Sequence, residues 1–148
     1  MLFRSTLVQK TTNGVKATLL ALDARVTLVT GLSSAKKTAD HVRKLALAAS
    51  GDASPFKINV IASHPNYDDD LACADYIKDQ ILGTNSVSLA QVQSRIDTSH
   101  PAQKFFDPAQ PEFKAQDLPF CTREVPCDFV MQVDKSQPLP RIVKKVVG

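Results

Sequence analysis

At 148 residues and 43% hydrophobic content, the chain is sized for a single domain with a real core. A net charge of +3, aromatics at 6% and no Trp are too dilute for the clustered cations and stacking platforms of a nucleic-acid binder, so no nucleic-acid partner is expected. Three cysteines, an odd number with no secretory apolar segment ahead of them, argue against a secreted disulfide framework, and no apolar run approaches the ~18 residues of a membrane span.

Residues 1–24 carry Arg4, Lys10 and Lys16 among many Thr and Leu, with no acid before Asp23. Such a basic, hydroxyl-rich, acid-poor stretch fits either a mitochondrial transit segment, which would place the protein in the mitochondrial matrix, or an ordinary N-terminal extension. The domain proper is expected at 25–148.

Residues 25–49 read as a strand, a turn and a helix. Val26, Thr27, Leu28, Val29 and Thr30 form a β-rich run that ends at Gly31 and suits a central strand covered on both faces. A helix is expected over 33–49, with Ala35, Ala39, Val42, Ala46 and Ala49 on one stripe, Ser33 or Ser34 as its cap, and Lys36, Lys37, Arg43 and Lys44 turned outward. Residues 56–62, after Pro55, read as a second strand, and Ser63, His64, Pro65 and Asn66 as a turn. A second helix is expected over 67–82, with Asp68, Asp69 and Asp70 favourably placed at its positive end and Gly83 ending it. A weaker third helix covers 87–96.

Residues 98–126 change texture, because Pro101, Pro108, Pro111, Pro119 and Pro126 forbid a long helix or central strand. This proline-rich loop is expected to pack over the core through Phe105, Phe106, Phe113 and Phe120, or to be a functional insertion, with one short helical turn near Phe105. Residues 129–133 read as a third strand, and 142–147 as either an edge strand or a short helix. The order β-α-β-α-β-(β), with 26–30 parallel to 56–62 across a right-handed crossover, gives an α/β class. It resembles the thioredoxin-like fold, a central mixed sheet flanked by helices.

In that fold the loop after the first strand would hold a Cys-x-x-Cys pair. Here Gly31, Leu32, Ser33 and Ser34 occupy it, which excludes dithiol exchange at this place. Gly31, Ser33 and Ser34 could still bind the carboxylate or phosphate of a small thiol on backbone N–H groups, with Lys36 and Lys37 nearby, or could be a solvated helix start. Cys121 and Cys127 flank Thr-Arg-Glu-Val-Pro, where a disulfide is geometrically possible and Arg123 could depress a thiol pKa; they could equally be loop cysteines with no redox task. Pro126 stands where thioredoxin-like domains commonly carry a cis-proline facing the first loop, which would bring Cys127 near Gly31. Cys73 reads as a small buried hydrophobe. His41, His64 and His100 lie on separate elements, and Asp68 to Asp70 lack the glycine and glutamate of a calcium loop, so neither a metal nor a cofactor is expected.

With these elements placed, the chain resembles the fungal mitochondrial redox proteins of thioredoxin-like fold. The likeness rests on Val26-Thr27-Leu28-Val29 before Ser33-Ser34, on the alanine-lined helix, on Phe56-Lys57-Ile58-Asn59-Val60, and on the acid-led helix at 69–77. It covers 25–82 and implies mitochondrial residence and an oxidoreductase role. The resulting expectation is a thiol-dependent oxidoreductase, with Cys127 or Cys121 as nucleophile beside Pro126 and a small thiol or protein thiol as partner. The alternative is a non-catalytic subunit or adaptor of a larger mitochondrial assembly.

Overall fold

The computed structural model describes residues 11, 13–51, 56–64 and 66–148. In chain order these form α1 (Gly14–Leu20), β1 (Leu28–Val29), α2 (Ala35–Ala48), α3 (Asp68–Leu82), α4 (Leu89–Asp97), α5 (Leu118–Cys121), β2 (Phe129–Asp134) and β3 (Arg141–Val146), with 3-10 turns at Leu32–Ser34, His100–Phe106 and Ala115–Asp117. Residues 1–10 and 12 of the stretch read as a transit segment lie outside the described residues, as do Pro55 and Pro65, and the rest of that stretch carries α1.

The core forms where α2 and α3 pack together. Ala35, Ala39 and Ala72 are buried, and their small side chains allow close approach of the two helices. Leu32, Tyr76, Ile77 and Val92 complete a buried cluster with Ala35 and Ala72, so α4 joins through Val92. α3 and α4 carry end signals that their sequence encodes. Gly83 ends α3 in the left-handed conformation at φ 68°, its N–H donating to Asp79 O at 2.8 Å. Ser88 and Gln91 form a reciprocal capping box at the start of α4. Ser34 does not cap α2, because its hydroxyl is engaged by Thr30 Oγ1 at 3.0 Å.

The sheet is three-stranded and antiparallel, in the order β1-β2-β3. Leu28 and Val29 lie opposite Gln132 and Met131, and β2 runs beside β3 from Phe129 opposite Val146 to Asp134 opposite Arg141. Val130 and Val133 of β2 are buried, whereas every residue of β3 is exposed. The undecided C-terminal segment is therefore a strand at the sheet edge.

This architecture corrects the expected thioredoxin-like α/β fold. The chain is mostly helical, and its small open sheet contains no β-α-β-α-β array. The partner of residues 26–30 is β2, running antiparallel, and residues 56–62 are in no strand. Among the described residues, no backbone hydrogen bond ties 56–62 to another segment. A strand needs a neighbouring backbone as well as a buried face, and composition specifies only the second.

The proline-rich segment packs against the helices through a few directed bonds. Val125 N donates to Ser33 O at 2.8 Å, Tyr76 Oη to Glu124 Oε1 at 2.9 Å, and Gln93 Nε2 to Thr122 O at 2.8 Å. Of its phenylalanines, Phe105 meets Phe113 edge-on at 5.6 Å, while Phe106 and Phe120 stay exposed. Among the described residues, no helix is long and apolar enough to cross a membrane.

Candidate functional site

Two chain segments, 26–31 and 56–61, run along one groove of about 720 Å³, floored by α2 and α3 and bordered by α1. Thr30 and Gly31 from the first segment share its lining with Ser63, which follows the second, and with Asp70 and Cys73 of α3. The loops after both segments therefore converge beside the first turn of α3.

The three aspartates at the start of α3 sit at the positive end of the helix but are held in different ways. Asp68 is taken up by Arg95 of α4, whose Nε lies 3.1 Å and Nη2 2.5 Å from Asp68 Oδ1. That hydrogen bonding holds the Asp68 carboxyl below its ordinary range, and the same guanidinium reaches Asp75 Oδ2 at 2.9 Å. Asp70 Oδ2 accepts the Ser63 hydroxyl at 2.7 Å. Asp69 differs from both, because its Oδ1 is buried and has no hydrogen-bond partner among the described residues, a costly arrangement for a polar atom. Next to this trio the Cys73 thiol is pushed up to about 11, first by burial and then by the charges of Asp70 and Asp69. It is protonated and inert as a nucleophile at neutral pH.

The opposite rim is built from hydroxyls. Thr38 Oγ1 donates to Thr30 Oγ1 at 3.1 Å, and Thr30 contacts Ser34, which forms a short chain at the start of α2. Gly31 is extended, and a Cβ placed there would meet nothing within 4 Å, so this corner of the groove is open. Above the turn, His64 stacks on Tyr67 at 3.9 Å, and Asn66 N donates to His64 Nδ1. Lys57 also lines the groove. Lys37 faces elsewhere, into a cleft with His41, Lys44 and Gly148 on the other side of α2. Burial there, followed by the charges of Lys145, Lys44 and Lys37, lowers the pKa of His41.

The expected site residues are only partly brought together. Ser33 is joined to the proline-rich segment through Val125, which does place the approach to Pro126 and Cys127 beside the Gly31, Ser33 and Ser34 loop. Pro126 follows a trans peptide bond. Cys121 is exposed, Cys127 is partly buried with its thiol 3.5 Å from Phe129 O, and both are free thiols. Sequence reasoning missed Ser63 and Asp70 as members of the site. Ser63 reads as part of a turn and Asp70 as part of a charge cluster, and only the fold distinguishes the three neighbouring carboxylates. Among the described residues, no group of three or more His, Cys, Asp and Glu side chains is arranged to hold a metal ion.

The chain is similar to a Bacillus subtilis (strain 168) protein described as "Probable 2-phosphosulfolactate phosphatase". The two are 49% identical over 141 residues, which is 95% of this chain and 59% of that protein. The chain thus spans about three fifths of the length of the curated relative it matches. No protein-family model and no solved structure matches it.

This likeness overturns the resemblance to fungal mitochondrial redox proteins, since it covers 95% of the chain rather than 25–82 and is to a bacterial protein of a different description. The thiol-dependent oxidoreductase, its small-thiol or protein-thiol partner and the mitochondrial adaptor fall with it. The short apolar strand, Ser-rich turn and alanine helix that carried the resemblance are common to many α/β segments, so they do not specify a family.

Proposed function

We propose that the protein is a phosphatase acting on a small, anionic phosphate monoester of the phosphosulfolactate kind. The observation that carries this is the 49% identity to the Bacillus protein of that description across 95% of the chain. The site chemistry supports it. The open corner at Gly31, next to Thr30 on the groove's lining, offers room for a phosphoryl group. Asp70 lines the groove and is the carboxylate placed there to take the proton of an attacking water. The Ser63 and Asp70 pair holds the facing loop in place. In the reaction, water oxygen bonds to phosphorus, the ester P–O bond breaks, the departing alcohol oxygen gains a proton, and inorganic phosphate leaves.

The test is phosphate release from 2-phosphosulfolactate and from a generic aryl phosphate by the purified chain, together with Asp69→Asn and Asp70→Asn. Loss of a positioned proton acceptor lowers the rate by roughly 10²–10⁴-fold, so Asp70→Asn should show a fall of that order with little change in KM, and Asp69→Asn, off the groove, a much smaller one. No release from any small phosphomonoester, or rates unchanged in both variants, would overturn the reading.

A further inference from the structure

We infer that the groove between residues 26–31 and 56–61 is a strand-acceptor slot. Its occupant is an extended polypeptide segment with apolar side chains at alternate positions, and its proposed source is the part of the Bacillus relative outside the 59% matched here.

The geometry of the lining points to a backbone-shaped gap. In an extended chain, successive side chains project to opposite faces, so a cavity against one face would touch every second residue. This groove touches Val26, Thr27, Leu28, Val29, Thr30 and Gly31 in succession, and on its other wall every residue from Phe56 to Ile61. Contact with both parities means that the void meets the edges of the two segments. β1 is paired with β2 alone, and 56–62 make no backbone hydrogen bond to another segment among the described residues. A segment inserted between two such edges gains hydrogen bonds on both sides, the strongest form of strand addition.

The side chains agree with that occupant. Eight of the twelve wall residues are β-branched or aromatic, the exceptions being Leu28, Gly31, Lys57 and Asn59, and the floor contributes Val42, Leu45, Ile77 and Ile81, which favours a largely apolar strand. Phe56, Ile58 and Ile61 remain 37%, 38% and 59% exposed, a clustered exposure that isolated surface residues do not explain. The slot opens at one end onto Thr30, Gly31, Ser63 and Asp70, so its occupant would also wall the candidate site.

The inference is tested by co-expressing the chain with the unmatched portion of the Bacillus protein as a separate polypeptide, then following hydrogen exchange by mass spectrometry. The expected result is a one-to-one complex in which exchange slows at least tenfold over 26–31 and 56–61 but not over 141–146. Successive N–H groups of a strand point to opposite edges, so one of Ile58→Pro and Asn59→Pro removes a donor facing the slot. That variant should weaken the complex at least tenfold, while the exchange of α3 and α4 is unchanged. The inference is overturned by unchanged exchange in both segments, by full complex formation in both proline variants, or by the same protection arising from self-association of the chain alone or from added phosphate ester.

Discussion

The junction of α2, α3 and α4 and the groove between 26–31 and 56–61 draw on the same aliphatic residues and end in opposite states. In the first, Ala35, Ala72 and Val92 are 0% exposed. In the second, Ile58 and Ile61 face outward although their neighbours belong to a strand-forming composition. A helix satisfies its own backbone and needs only a side-chain partner, so a local pattern is enough to complete it. An extended segment also needs another backbone, and nothing within the described residues supplies one to 56–62.

The sharpest way to break that contrast is to truncate one isoleucine from each region. Ile77 is 6% exposed within the core cluster, so Ile77→Ala should cost about 2–5 kcal/mol. Ile58→Ala should cost about 0.5 kcal/mol, as surface substitutions do. Urea denaturation midpoints at unchanged slope would measure both, and equal losses would show that the two regions are packed alike.

Acid titration separates the regions in another way. Asp79, buried at the end of α3, accepts from Thr84 Oγ1 at 2.5 Å and from Ser86 N and Oγ at 2.8 and 2.6 Å. The Ser86 and Thr84 hydrogen bonds hold its carboxyl down at about 2. Because the folded value lies below the unfolded value of about 3.9, the stability it contributes is fully present above that value and is lost as pH falls toward the folded one. Thermal unfolding followed downward from about pH 4 should therefore steepen in the wild type and flatten in Asp79→Asn. No difference between the two curves would remove Asp79 as the clamp of the turn that carries Asn85 at φ 51°.

The helical region was largely legible in the sequence, and the clearest check on that is a cap. Ser88→Ala breaks the capping box at the start of α4 and should cost about 1 kcal/mol. The alanine stripe of α2, the acid-led start and glycine end of α3, and the alternating β2 could likewise be read directly, because each is set by residues within a few positions. The pairing of β1 with β2 could not, since it joins residues about a hundred positions apart and the run at 56–62 looked an equally good partner. The site was less legible still. The Gly31, Ser33 and Ser34 loop does precede a helix, but the serine cap expected there does not form, and the chemistry given to Cys121 and Cys127 came from a resemblance that the likeness over 95% of the chain displaces. Arg95, which gathers Asp68 and Asp75 and so sets Asp68 apart from Asp70 on the groove, carries no one-dimensional signal.

The smallest expected effect falls at Gly31, and it distinguishes a loop that needs glycine from one that only happens to contain it. Gly83 requires its left-handed φ of 68°, whereas Gly31 is extended at φ −134° and ψ −177° with open space where a Cβ would stand. Gly31→Ala should therefore leave stability unchanged or raise it by about 0.4–1 kcal/mol through the unfolded chain. The added methyl group projects into the corner assigned to the phosphoryl group, so phosphate release is the discriminating readout. A fall in rate with unchanged or higher stability places substrate against this loop, and an unchanged rate moves the phosphoryl pocket away from Gly31 toward Ser63 and Asp70.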